Sequence, residues 1–113
     1  LLSRGTRIND RDNIGGTALM AAISRRKPDI AIYLVQQGAD FSLYDINGVT
    51  ASWAVQLAVQ DTRPGNPVHE QFVQLRDLLI KKGAKWPPLP PLEVRDQMRA
   101  RGEKVVVPKG QPR

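Results

Sequence analysis

The spacing of equivalent residues along the chain is the feature that most limits its fold. Four pairs of residues share one offset of 33 positions: Gly5 and Gly38, Asp12 and Asp45, Gly15 and Gly48, and Thr17 and Thr50. The glycine ending of this period occurs again 45 residues after Gly38, at Gly83, so the last period contains 12 additional residues. A repeat of this length is typical of proteins that stack one supersecondary unit on the next. The sequence therefore predicts a solenoid within its 113 residues.

Each period is predicted to contain two helices. Thr17 and Thr50 precede apolar segments and are expected to be N-caps, because a threonine hydroxyl can accept from an unpaired N–H at a helix start. The second segment begins at Pro28, which is well tolerated in a first helical turn. Gly38 follows its last apolar turn, where a left-handed residue commonly ends a helix. The aspartates and glycines before each threonine supply the chemistry of a tight turn between hairpins.

The sequence "DNIGGTALMAAISRRKPDIAIYLVQQGAD" at residues 12–40 resembles a complete ankyrin repeat. The resemblance extends over residues 1–85 and implies an all-α ankyrin-repeat solenoid of helix-turn-helix units, similar to the carboxyl-terminal part of an array. A bacterial source is one expectation. The family pattern Thr-Pro-Leu-His is replaced by Thr-Ala-Leu-Met and Thr-Ala-Ser-Trp. We therefore expect the first helices to depend on apolar packing of Met20 and Trp53.

The predicted organisation has four parts. They are a half repeat at residues 1–11, a complete repeat at 12–44, a repeat with a 12-residue insertion at 45–85, and a Pro-rich spacer, short capping helix and tail at 86–113. The half repeat implies that the array continues upstream. The insertion is expected at the polar, irregular residues 61–69, either as a functional loop, since loops on rigid scaffolds often carry function, or as neutral drift.

The segment after residue 85 departs from the repeat. Residues 86–94, "WPPLPPLEV", are expected to be stiff and extended because proline disfavours helix at its own position and at the one before it. A helix at residues 92–101 with Val94 and Met98 on one face is predicted to cap the last repeat. A short strand is predicted at residues 105–107. The Pro-x-x-Pro spacing within 87–91 also fits a ligand of proline-reading domains, but we favour a rigid spacer.

Residues that could carry catalysis do not form a recognisable constellation in this sequence. The chain has no cysteine and one histidine, His69, which is expected to be an exposed residue at a helix start and neither a ligand nor a catalyst. There is no metal-ligand spacing and no Gly-rich phosphate loop. We therefore predict a protein that is not an enzyme and needs no cofactor or metal.

The net charge of +6 comes from 17 basic and 11 acidic residues. The basic runs at residues 25–27 and 81–85 are interpreted as solvated helix ends, where cations complement the helix dipole; contact with phosphate or with an acidic partner is the alternative. No apolar run approaches the roughly 18 residues of a membrane-spanning helix. The cysteine-free composition fits both the cytoplasm, which we favour, and the periplasm, which would require an upstream signal peptide.

The resemblance implies recognition of another protein along a concave face built from turn tips and first helices. The candidate contact residues carried over from it are Asn13, Ile14, Gly16, Ser24, Arg25, Ile46, Asn47, Val49, Leu57 and Ala58. Ile14, Ile46 and Val49 are the most informative, because apolar side chains at exposed tips can form the core of an interface. Alternatively, they fold back onto neighbouring tips.

Two narrower functions remain open from the sequence. One is a bacterial immunity or inhibitor protein that neutralises a single toxin or effector in a one-to-one complex. The other is an adaptor whose basic surface binds nucleic acid or anionic membrane, with an affinity that falls steeply with salt. The expected partner is another protein, and the chain is expected to be either a monomer or part of a hetero-complex. Neither nucleic acid nor membrane is the favoured partner.

Overall fold

The structure is a computed structural model that describes residues 8–110, and this part of the chain is all-α. It contains five helices and no regular strand: α1 (Ala18–Ser24), α2 (Pro28–Gln36), α3 (Ala51–Asp61), α4 (Pro67–Lys81) and α5 (Pro91–Ala100). Most of the half repeat predicted at residues 1–11 lies outside the described residues. No helix in the described range is both long enough and apolar enough to cross a membrane.

The predicted helix boundaries are confirmed at their capping residues. The Thr17 hydroxyl accepts from the backbone N–H of Met20 at 3.3 Å, and the Thr50 hydroxyl accepts from that of Trp53 at 3.2 Å. Pro28 is the first residue of α2. Gly38 follows this helix with φ of +92°, a left-handed conformation in which a side chain would be strained.

The turns before α1 and α3 share one hydrogen-bonding pattern. In each turn an aspartate carboxylate, Asp12 or Asp45, accepts from the backbone N–H groups two and four residues ahead, at 2.8–3.0 Å. The two turns stack, because the backbone N–H of Ile46 donates to the carbonyl of Ile14 at 2.9 Å. The aspartates are therefore turn formers, as the sequence predicts.

The four helices of the two hairpins form one core. Helix α1 packs against α2 and α3, and α4 packs against α2 and α3, so that the second hairpin stacks on the first. The largest buried side chains at the centre of this stack are Leu19, Ile23, Leu34, Val35, Val55, Phe72, Leu75 and Leu79. Stacking of this kind is expected of units too thin to bury their own apolar faces.

The 12 additional residues of the last period extend helices rather than forming an irregular loop. Helix α3 is four residues longer than α1, α4 is six longer than α2, and the connecting loop at residues 62–66 is two longer than that at 25–27. The insertion predicted at residues 61–69 is therefore mostly helical. His69 lies within α4, half-buried instead of exposed, with Nδ1 2.9 Å from the hydroxyl of Thr62.

The carboxyl-terminal segment combines a confirmed helix with a strand prediction that was wrong. Val94 and Met98 are buried on α5, which begins one residue before the predicted start. Residues 105–107 form no strand. Instead, the backbone N–H of Val106 donates to the carbonyl of Ile46 at 2.8 Å, and the amide of Asn47 donates to the carbonyl of Val106 at 2.6 Å. Val106 of the tail thus packs on the second turn through its backbone, next to the stacked pair of turns.

Candidate functional site

A groove of about 380 Å³ lies between α1, α3 and the amino-terminal end of α5. This volume falls within the range of roughly 300–1,000 Å³ that is usual for ligand-binding clefts. The side chains that give the groove its character are Ser24, Arg26, Val49, Trp53, Leu57 and Asp61. We refer to it below as the concave groove.

Helix α3 and Val49, two residues before it, supply the floor of the concave groove. Trp53, Leu57 and Asp61 follow one another at intervals of four residues within α3, and this spacing places side chains of a helix on one face. Val49, two residues before α3, also lines the groove. Val49 and Trp53 are half-buried, and Leu57 remains 41% exposed. The floor is therefore an apolar strip, with an acidic residue at one end.

Arg26 and Asp61 close one end of the concave groove. Their side chains form an ion pair at 3.2 Å, and both remain substantially exposed to solvent. The Arg26 guanidinium also lies 5.9 Å from the ring centroid of Phe72. Arg26 has φ of +58°, which costs on the order of 1 kcal/mol or more for a residue other than glycine. Because exposed ion pairs contribute little to stability, this pair can exchange partners at low cost.

Helix α5 forms a wall of the concave groove. Because Gly48 has no side chain, this helix can pack closely against the turn before α3. A Cβ at Gly48 would lie 2.8 Å from the carbonyl oxygen of Pro91 and 2.9 Å from Cγ of Arg95. Arg95 is buried, and its guanidinium donates to the carbonyl of Asn47 at 2.9 Å. The capping helix is thus held directly against the second turn.

A second cluster fixes the tail that follows α5. The Tyr44 hydroxyl lies 2.7 Å and 2.9 Å from the two carboxylate oxygens of Glu103 and accepts from Arg101 at 2.7 Å. Arg101 also donates to Glu103 at 2.6 Å, and Arg11 donates to the Tyr44 carbonyl at 2.6 Å. The hydrogen bond from Arg101, followed by that from Tyr44, lowers the pKa of Glu103 below its ordinary value. This cluster joins the tail to both turns.

Three of the predicted contact residues, Ser24, Val49 and Leu57, line the concave groove together. Ala58 does not, because its side chain is fully buried in the core beneath α3. The prediction that Ala58 contacts a partner is therefore corrected. Arg25 is exposed at the carboxyl-terminal end of α1, where it lines a separate pocket with residues of α1 and α2.

The predicted contact residues at the two turn tips have different surroundings. Ile46 and Asn47 are half-buried beneath the tail, because Val106 hydrogen-bonds to both. At the first tip, Ile14 is 52% exposed beside the exposed Asn13. The first tip is therefore open to a partner, whereas the second is occupied by the chain's own tail.

Of the six side chains that give the concave groove its character, three were not among the predicted contact residues. The sequence predicted that Trp53 would pack between helices and that Arg26 would belong to a solvated helix end. It placed Asp61 in an irregular insertion. The spacing of four residues from Val49 through Trp53 and Leu57 to Asp61 was the available signal. Its use required knowing that α3 extends to Asp61, two turns beyond Trp53.

Comparison with known proteins links part of this chain to ankyrin-repeat proteins. No family model matches the chain. Over 50 residues, 44% of its length, the chain is 46% identical to a protein of Acanthamoeba polyphaga mimivirus that is named as an ankyrin repeat protein. The chain spans about 7% of the length of that relative. This weak similarity supports kinship with ankyrin-repeat proteins. The relative is viral, so it gives no support to a bacterial source.

Proposed function

We propose that this chain is a non-catalytic protein-recognition module that binds a segment of a partner protein in the concave groove. The observation that carries the proposal is the apolar floor formed by Val49, Trp53 and Leu57, which remains open to solvent between α1 and α5. Kinship with ankyrin-repeat proteins supports it, because the resemblance implies binding of other proteins through the concave face. On this proposal residues 1–85 belong to the ankyrin-like repeats, and residues 86–113 are the Pro-rich spacer, capping helix and tail that follow them.

The composition of the concave groove suits an interface better than it suits a structural role. Tryptophan and arginine are enriched among the residues that dominate binding energies, and here Trp53 and Arg26 lie in one groove. An exposed leucine beside a half-buried tryptophan gives a partner side chain apolar area to cover. The first tip, where Asn13 and Ile14 are exposed and Gly16 is half-buried, extends the proposed surface.

A capture experiment with matched variants tests the proposal. Wild-type protein, Leu57→Glu and Ile80→Glu are immobilised and incubated with lysate of the source organism at moderate and high salt. Leu57 and Ile80 are 41% and 42% exposed, but Ile80 lies on α4 and does not line the groove. We expect the wild type and Ile80→Glu to retain one partner at high salt and Leu57→Glu to lose it.

Folding of each variant is verified by circular dichroism before capture. Equal retention by Leu57→Glu and the wild type would contradict the groove proposal. Capture that is independent of Leu57 and disappears with salt would instead identify a basic-surface adaptor, because electrostatic contacts are screened. A stoichiometric one-to-one complex with a toxin or effector would assign the narrower inhibitor function.

A further inference from the structure

The tail after α5 occupies part of the surface on which the proposed function depends. The backbone N–H of Val106 donates to the carbonyl of Ile46 at 2.8 Å, and the side-chain amide of Asn47 donates to the carbonyl of Val106 at 2.6 Å. Two residues further on, Pro108 is half-buried and lines the concave groove. The segment at residues 105–108 therefore joins the second turn tip to the groove.

This segment has the sequence and the burial pattern of an extended ligand. Residues 103–108 contain neither helix nor turn, and three consecutive valines favour extended backbone because they are β-branched. Val105 and Val107 are half-buried, whereas Val106 between them is 40% exposed. This alternation is expected where successive side chains point to opposite sides of an extended chain. The central residue is thus held through its backbone.

The stack of turns is closed without the help of the tail. At the first turn, the carbonyl of Ile14 accepts from the backbone N–H of Ile46 at 2.9 Å. Asn47 is the equivalent residue 33 positions later, and its carbonyl accepts from the guanidinium of the buried Arg95 at 2.9 Å. Helix α5 therefore supplies the donor that a following turn would supply. The contacts of Val106 are additional to this closure.

The polar contacts that hold the tail are exposed to solvent. They are the hydrogen bond between Asn47 and Val106 and the cluster formed by Tyr44, Arg101 and Glu103. Exposed polar pairs contribute little to stability, and segments without many buried apolar contacts open at a low free-energy cost. The tail can therefore leave the second tip while the stack of turns and α5 stay in place.

On the basis of the proposed function, we infer that residues 105–108 are an internal substitute for the partner's segment, and that tail and partner compete for one site. The partner's segment is extended and apolar, with β-branched residues followed by proline. It makes the two hydrogen bonds to Ile46 and Asn47 that Val106 makes in its absence. Its proline takes the place of Pro108 in the groove. Recognition of this kind draws affinity from the main chain and specificity from alternate side chains.

Competition with the tail limits which partners the site retains. A ligand whose site is open in only a fraction of the molecules binds with an apparent affinity that is reduced by that fraction. The tail is tethered next to the site through α5, and tethering gives it a high effective concentration. A partner must therefore bind more strongly than the tail does, and loosening the tail strengthens binding.

Binding of a labelled peptide to the complete chain tests the inference. The probe is a fluorescent peptide of residues 103–110, "EKVVVPKG", followed by fluorescence anisotropy. In the protein, Val106→Pro removes the N–H that donates to Ile46, and Val106→Ala retains it as the matched control. We expect Val106→Pro to bind the probe at least about tenfold more tightly than the wild type and the control, because its site is open in most molecules.

A second pair of substitutions locates the bound probe. In the Val106→Pro background, Asn47→Ala removes the amide that donates to the displaced carbonyl, and it should weaken the probe about two- to tenfold, the usual effect of one hydrogen bond. Asn13→Ala at the exposed first tip is the matched control and should leave the affinity unchanged. Circular dichroism verifies the fold of each variant before the titrations.

The outcomes separate this inference from the proposed function. Equal binding of the probe by Val106→Pro and the wild type would overturn the inference, and so would binding that is insensitive to Asn47→Ala. In the capture experiment, excess probe should release the partner. A partner that is lost with Leu57→Glu but is not released by the probe would overturn the competition and leave the proposed function intact. A partner that is insensitive to Leu57→Glu would contradict the proposed function and the competition together.

Discussion

Two glycines with the same backbone conformation differ in what surrounds them. Gly38 and Gly48 have φ of +92° and +79°, so a side chain would strain the backbone at either position. At Gly38 a Cβ would meet nothing within 4 Å, whereas at Gly48 it would collide with the backbone of Pro91. From the 33-residue period alone, Gly38 is recognised as a helix end and Gly48 as part of a turn, with no sign that their surroundings differ. The contact with α5 makes Gly48 a packing position.

We expect Gly48→Ala to destabilise the protein more than Gly38→Ala. The Gly38 variant should lose about 1–2 kcal/mol, the cost of a left-handed residue with a Cβ. The Gly48 variant should lose roughly 1–3 kcal/mol more, because the added methyl group overpacks the contact with α5. Urea denaturation of both variants measures the difference. Equal losses would show that α5 does not pack tightly against the turn.

The two threonine caps should contribute comparably to stability, because each satisfies one N–H at the start of a short helix. We expect Thr50→Ala to cost roughly 0.5–2 kcal/mol, since it removes the acceptor for the backbone N–H of Trp53. Thr50→Ser retains the hydroxyl and is the matched control, with a smaller expected loss. Denaturant titration checks this. A serine variant as unstable as the alanine variant would mean that the threonine methyl group matters, not the cap.

At the level of elements, the sequence predicted the helices that repeat and failed where the repeat is broken. The caps, the stop at Gly38 and the face of α5 with Val94 and Met98 follow from local chemistry, which a sequence displays directly. The insertion at residues 61–69 was misjudged because helix extension depends on packing of α3 against α4. The strand at 105–107 was misjudged because β-branched residues indicate extended backbone but not the partner it pairs with.

The tail is attached to the repeats through a cluster that responds to pH. The folded-state pKa of Glu103 is lowered, so its stabilising contribution is present above the ordinary glutamate pKa and is lost as the pH falls through the folded value. We expect the stability difference between wild type and Glu103→Gln to be largest at neutral pH and to shrink in acid. Denaturant titrations at neutral and acidic pH measure it. A difference that stays constant across this range would contradict the prediction.

At the scale of the whole molecule, the concave groove exists because separate segments meet. Arg26, Trp53 and Asp61 come from two helix hairpins, and Pro91 and Pro108 come from the cap. A single sequence displays the spacing within α3 but not the distance between Arg26 and Asp61, which are 35 positions apart. For the same reason, the covering of Ile46 and Asn47 by the tail could not be predicted. The repeat predicts the scaffold, whereas the groove depends on stacking and on the cap.

The cap should open independently of the rest of the molecule. The central core consists of residues from α1 to α4, together with Ala39 in the loop after α2. The buried residues of α5, Val94, Arg95 and Met98, are not part of this core. Because protection from hydrogen exchange follows local burial and contact density, we expect amides of α5 to exchange faster than those of α2 and α4. Gly48→Ala should accelerate exchange in α5 selectively. Native-state exchange followed by NMR measures both effects. If the amides of α5 exchanged only together with those of α4, cap and core would form one cooperative unit, and the groove wall would be as rigid as its floor.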